Sequence, residues 1–462
     1  MDHKRWDGAK DTAIGRHCVT SKLFSNKDLV RMIVPLFFEQ FLLMLVGLAD
    51  TFFISQAGEA AVAGVSLTNQ FNTVFIFLFT ALAAGGAVVV SQYVGTGDAD
   101  RASEAASQLL MFSIVFSVAM SVVVLLLRRQ LLGLMFGRVE PAVMDACVIY
   151  LGISALSYPA LAVYNAGAAT FRSIGKTSVT MVVSIISNAV NVVGNYIGIF
   201  VLHAGVAGVA WPSLLARMVS AVLITWLVFR EERITYRLPQ IMRWNGPLLA
   251  KIAGIAVPNG AENAVFQLVK VALSSIVALF GTYQIAANGV AQSIWSLAAL
   301  SGAAIGPVYI TVIGQCMGAG DVEAADYYFG KLTRWSLVFS VAWNALVFAA
   351  TPLILRFYAL ESETVALVIR LVALHNVFNA LVFPFASNVG NGLRAAGDVA
   401  YTMWVSIAST LAVRLVLSYV LGVGLGMGVI GIAWAMVADW SARAALIVWR
   451  QRRGVWKTKR VV

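Results

Sequence analysis

The chain has 462 residues, 60% hydrophobic and 12% charged, with a formal net charge of +11 and a mean hydropathy of +0.83. A soluble domain carries about 25% charged residues, so soluble enzymes and nucleic-acid binders are excluded and a polytopic all-α membrane protein is implied. The three cysteines, Cys18, Cys147 and Cys316, have neither paired nor metal-like spacing, which supports no disulfide framework and no thiolate metal site.

In chain order, residues 1–28 are polar and lack the apolar core of a signal peptide, so they read as a cytoplasmic arm. Apolar runs then predict twelve spans near 29–55, 61–91, 102–128, 142–168, 179–201, 208–230, 247–281, 284–316, 323–352, 363–392, 399–422 and 427–450. The first six make an N-lobe (29–230) and the last six a C-lobe (247–450). A cytoplasmic linker (231–246) joins them, and a basic cytoplasmic tail (451–462) follows. With alternating loops, 24 of the 33 Lys and Arg residues fall on the side of both termini, whereas the other side holds only Arg128, Arg129, Arg138 and Arg356. The positive-inside rule therefore puts both termini in the cytoplasm, and the basic tail is a topology signal, not a nucleic-acid site.

A shift of 223 residues superposes one half of the chain on the other. Pro35 meets Pro258, Glu39 meets Glu262, and GTGDAD (95–100) meets GAGDVE (318–323). Between 172–185 and 394–407 the shift is 222, and it returns to 223 where Trp211 meets Trp434. Six spans per unit, an even number, give two lobes related by an axis along the membrane normal, with substrate expected between them: the plan of a secondary transporter, with a channel built from repeats as the alternative. No Walker A pattern occurs.

Ionisable groups within spans cost several kcal/mol unless paired or hydrated, so each is a site candidate. In span 1, Glu39 and Asp50 are eleven residues apart, which leaves them about 20° apart around the helix and about 16 Å apart along it. Span 5 carries Asn188, Asn191 and Asn195 within about 60° of one another. An Asp facing an Asn ladder suits a monovalent cation or a proton held in a hydrogen-bonded network. The competing reading of the ladder is interhelical glue. Neither shift gives an amide in the second half, and Asp50 becomes Leu273, so a coupling site belongs to the N-lobe. Glu262 and Lys270 in span 7, with Glu39, are candidates for substrate binding or gating. Arg414, Asp439 and Arg443 read as a structural ion-pair set, Arg217 as ambiguous, and His375 as a packed side chain. Prolines 35, 159, 212, 258, 307 and 384 fall within spans, where each permits a bend.

Pro35 followed by Asp50 in GLADTFFIS, the span 5 ladder, and GxGD after spans 2 and 8, in this order and over about 29–450, resemble the multidrug and toxic-compound extrusion (MATE) family. The resemblance implies twelve helices in two six-helix bundles. It also implies antiport of organic cations or amphipathic toxins against H⁺ or Na⁺, with no other cofactor. Asp50 matches the family's span 1 aspartate, Asn191 its span 5 asparagine, and Ser213 stands where a threonine is usual. Asn195 stands where Asp is frequent. Glu262 lies about one turn before the span 7 glutamate of some members, and Phe383 stands near their span 10 aspartate. A monomeric protein of the bacterial inner membrane, in contact with lipid, is expected. A flippase for lipid or lipid-linked oligosaccharide on a related fold is the alternative; it requires a basic cavity, and few basic residues lie within spans beyond Lys270, Arg217 and Arg414. An intramembrane enzyme would need a metal or nucleophile constellation that the four His residues do not supply.

Overall fold

The computed structural model describes residues 23–137, 139–358 and 360–462. Most of the N-terminal arm with Cys18, and Arg138 of the far-side basic set, lie outside them. The first lobe comprises α1 (Asn26–Ser55), α2 (Glu59–Gly95), α3 (Ala99–Phe136), α4 (Pro141–Leu156), α5 (Tyr158–Ser173), α6 (Thr177–Tyr196) and α7 (Ala207–Phe229). After the short α8 (Leu238–Met242), the second comprises α9 (Gly246–Val277), α10 (Thr282–Ala298), α11 (Leu300–Gly318), α12 (Val322–Leu355), α13 (Ser362–Leu381), α14 (Val389–Ala395), α15 (Val399–Ala408), α16 (Val416–Tyr419) and α17 (Gly428–Arg452). Eleven of the described helical segments are long and apolar enough to cross a membrane, and α4 with α5, bent by 43°, makes the twelfth. The bend falls at Ser157, just before Pro159, which has no amide hydrogen to continue the ladder.

Local sequence explains the element ends. Ser25 caps α1 in a reciprocal box with Asp28, its Oγ accepting from the Asp28 amide and its own amide donating back to the carboxylate. In GTGD and GAGD, Gly97 and Gly320 take φ of 77° and 73°, and the next residue caps a helix. Asp98 accepts from the Arg101 amide at 2.9 Å and Asp321 from the Ala324 amide at 2.8 Å. The repeated motif is thus a turn and cap used twice.

Not every span is one unbroken helix, as an apolar run alone suggests. Span 8 breaks at Ala299, between α10 and α11. Span 10 runs from α13 through a π-helical stretch at Pro384–Asn388 to α14. Further π-helical stretches occupy Ile197–Val201 and Val420–Gly424, 223 positions apart, and Ser409–Leu415, which has no counterpart in the described first half. A π turn accommodates one extra residue in a helix, and Ser409–Leu415 lies where the repeat register changes from 222 to 223.

The lobes meet along α2 against α9 and α1 against α11. The α2–α9 contact is close because Gly85 faces the Ala256 backbone, where a side chain would come within 2.8 Å of the amide nitrogen. Reciprocal hydrogen bonds join the lobes at the ends of α2 and α11. Gln92 Nε2 donates to the Ala395 carbonyl (2.7 Å) and Gln315 Nε2 to the Ser173 carbonyl (2.7 Å). Thr311 Oγ1 adds a bond to the Arg172 carbonyl (2.7 Å). At the same face Phe24 bonds Tyr328, and Trp456 of the C-terminal tail is wholly buried against Phe329. The described ends of the chain therefore lie on one face, and the lobes are sealed to each other there.

Candidate functional site

Asp50 lies near the end of α1 distant from the sealed face, and α6 presents its Asn ladder between α1 and α7. Asn195 Nδ2 donates to Asp50 Oδ1 (2.5 Å) and to Asn191 Oδ1 (3.2 Å). Asn191 Nδ2 donates to Ser213 Oγ (3.0 Å), whose hydroxyl donates to the Val209 carbonyl (3.0 Å). One chain of bonds therefore joins Asp50, Asn195, Asn191 and Ser213 across three helices. Asn191 and Asn195 are buried and Asp50 is half-buried. The Asn195 carbonyl oxygen is buried without a partner among the described residues. Asn188 is outside this chain: its amide nitrogen is likewise unpartnered. Arg217 donates to Ser157 Oγ (2.6 Å) and its charge reaches Asp50, a relation that its place in an apolar run did not reveal.

Asp50 opens onto a cavity of about 340 Å³, with Gly47, Thr51, Ile54, Asn69 and Thr73 among its lining. A second cavity, of about 240 Å³, lies in the other lobe, with Lys270, Leu273, Ser274, Val277, Gln292 and Ser296 in its lining. Those six follow Gly47, Asp50, Thr51, Ile54, Asn69 and Thr73 by 223 positions each, so the two cavities are the same place in the two repeats.

The two glutamates of spans 1 and 7 are engaged in ion pairs. Glu39, 1% exposed, accepts from Arg172 Nη2 (2.6 Å) and Tyr164 OH (3.2 Å) at Oε1, and from Thr180 Oγ1 (2.8 Å) at Oε2. Glu262 accepts from Arg394 Nη2 (2.6 Å), and Arg394 also bonds Asn391. Glu262 and Lys270 form no salt bridge. Glu39 and Asp50 share a face of α1, since both reach α6, through Thr180 and Asn195. Each paired arginine directly precedes a seam acceptor, Ser173 or Ala395, so the ion pairs buttress the positions where the opposite lobe docks.

The described chain also places Asp439 between Arg443 Nη2 (3.1 Å) and Arg414 Nη1 (4.0 Å), with a bond from Ser409 Oγ (2.5 Å). His375 is 2% exposed, with neither ring nitrogen bonded. Among the described residues no cluster of His, Cys, Asp and Glu could hold a metal ion.

The MatE family model matches residues 35–197 and again 258–420, two intervals offset by 223 positions. The chain belongs to the MatE family. This MatE protein is a membrane transporter and not an enzyme. It is 28% identical over 435 residues to an uncharacterized transporter, YisQ, of Bacillus subtilis, covering 92% of this chain and 94% of that one. It is 24% identical to a probable multidrug resistance protein NorM of Thermotoga maritima, covering 95% and 94%. A solved structure described as the outward-facing conformation of a multidrug resistance MATE family transporter superposes with a TM-score of 0.87 at 20% identity, covering 94% of this chain and 97% of that one.

Sequence reasoning missed the seam residues of this MatE transporter. Gln92 and Gln315 are amides kept at equivalent positions of two apolar helices, a signal that the repeat offered. Missed too is the buried set in which Asn379 Nδ2 donates to Asn344 Oδ1 (2.9 Å) and Asn376 Nδ2 to the Asn344 carbonyl (3.3 Å). Asn344 lies on α12 and Asn376 and Asn379 on α13, so only the packing of the two spans brings the set together.

Proposed function

We propose that the protein exports amphipathic or cationic organic compounds across a bacterial cell membrane in exchange for a cation taken up at Asp50, with both termini cytoplasmic. The observation that carries this reading is the chain Asp50–Asn195–Asn191–Ser213, which ties a half-buried carboxylate to three helices. Adding a cation at Asp50 changes what Asn195 can donate to, and so the packing of α1 against α6 and α7. A ligand shifts a conformational balance only by binding its states unequally, and this link supplies such a difference. The relatives' names, with multidrug resistance among them, support the substrate class.

The amide nitrogen of Asn195, not its oxygen, faces the carboxylate, so Asp50 offers an incoming cation no neighbouring amide oxygen as a ligand, and this supports a proton as the coupling ion. The unpartnered Asn195 oxygen supports the second ion, Na⁺, since rotation of that amide would present an oxygen beside Asp50. Glu39 and Glu262 act in this reading as parts of the gate at the sealed face. The flippase reading has one observation in its favour, the basic cavity of the second lobe.

The test is ethidium export by reconstituted protein under separately imposed pH and Na⁺ gradients. Export driven by the pH gradient alone supports the proton, and export driven by Na⁺ alone replaces it. Ethidium movement indifferent to both would overturn ion coupling and favour the flippase.

A further inference from the structure

The two repeat-related cavities differ in charge. Where the first lobe has Asp50 the second has Leu273; where the first has Gly47 and Asn191 the second has Lys270 and Arg414. One carboxylate is gone and two cations have arrived at equivalent positions. The π-helical stretch that restores the 223 register contains Arg414, so the extra residue puts this cation in the place of the amide.

Among the described residues Lys270 makes no salt bridge, and the carboxylates of Glu262 and Asp439 are paired with arginines. Asp439 is paired with Arg443 and Arg414, accepts from Ser409 Oγ, and does not line the cavity. Lys270, Arg414 and Arg443 against Asp439 leave a surplus of two positive charges. Three lining side chains also keep unsatisfied polar atoms. Trp295 Nε1 and Arg414 Nε are buried donors without acceptors, and both nitrogens of His375 are free; Arg414 is 7% and His375 2% exposed. Buried donors left unpaired beside uncompensated charge cost free energy unless something accepts from them.

We propose that the second-lobe cavity binds the anionic head group, carboxylate or phosphate, of an amphipathic substrate. At about 240 Å³ it is smaller than the 300–1,000 Å³, roughly, of a site for a whole drug-sized ligand. It therefore takes a head group, and the apolar tail leaves it along α9, where Leu268 and Val271 are exposed. The first lobe then holds the coupling cation and the second the anionic end of the cargo. This rests on the transporter reading above, but not on the assignment of Asp50.

The test is calorimetric titration of the full-length protein, in nanodiscs of neutral phosphatidylcholine, with decanoate, decyl phosphate and decyltrimethylammonium. The anions are expected to bind saturably and the cation not to bind at this site. Lys270→Glu should weaken anion affinity at least tenfold, Lys270→Gln by less, and Lys270→Arg should restore it. The titration reads anion binding directly and imposes no ion gradient, so failure of ion coupling and failure of this site are separate results. Repeating the titration with phosphatidylglycerol in the nanodisc identifies the source. Suppressed decanoate binding assigns the site to a lipid phosphate, and undiminished binding to a free amphipathic anion. Absence of anion binding in the wild type, or equal anion affinity in Lys270→Glu, overturns the proposal.

Discussion

Gly95 and Gly318 occupy equivalent places at the seam, and an added methyl group meets backbone at both. A Cβ on Gly95 would run into the Gln315 carbonyl, and one on Gly318 into the Gln92 carbonyl. Backbone cannot rotate aside as a side chain does, so Gly95→Ala forces the lobes apart at the sealed face. Overpacking a tight contact costs about 1–3 kcal/mol. The cost exists only while the lobes are docked there, so the balance between docked and separated states should move about 5- to 150-fold toward separation. Nitroxide pairs at Ala99 and Glu323, just past the GxGD turns of the two lobes, would report it by pulsed electron resonance in a background without native cysteines. Gly95→Ala and Gly318→Ala should each shift the distance distribution to longer values. Gly330→Ala, where nothing lies within 4 Å of the added carbon, should not. An unchanged distribution in both seam variants would refute the view that this contact is the closed gate.

Three further outcomes follow from the pairings. Glu39→Ala, which leaves Arg172 without its buried partner, should cost about 3–5 kcal/mol in unfolding by SDS titration. The Glu39→Ala, Arg172→Ala double variant should cost clearly less than the sum of the singles; additive costs would deny the pair. Asp439→Ala should be comparably destabilising while sparing ion specificity, and a variant as stable as wild type would contradict the structural reading of that cluster. Ser213→Ala removes one acceptor at the end of the Asn191 chain, so it should cost about 1 kcal/mol and slow ion-driven export without abolishing it, as read in proteoliposome flux.

Hydropathy and charge placement were enough to locate the spans, because a membrane demands long apolar runs whatever the packing. Helical geometry put Glu39 and Asp50 on one face of α1, and both reach α6. The repeat made the GxGD turns legible as a shared device. The partners of the glutamates were not legible: Arg172 and Arg394 lie near helix ends, where a basic residue reads as a topology signal, and only the docking of α5 and α14 brings them to Glu39 and Glu262. The π-helical stretches inside spans 5, 10 and 11 were hidden for a related reason. Hydropathy measures burial in lipid and is blind to whether a turn closes on the fourth or the fifth residue. The register change between 222 and 223 was visible as arithmetic, and the π-helical Ser409–Leu415 gives it a physical place.

Asp50 is the point on which the account of coupling turns, and Asp50→Asn isolates it, since the amide keeps the shape and an oxygen able to accept from Asn195. The decisive measurement is substrate export by this variant in proteoliposomes under an imposed ion gradient, with the fold checked by its elution as a single monodisperse species. Loss of ion-driven export in a folded, inserted protein is the predicted result. Export at the wild-type rate would contradict the assignment of Asp50 as the coupling group.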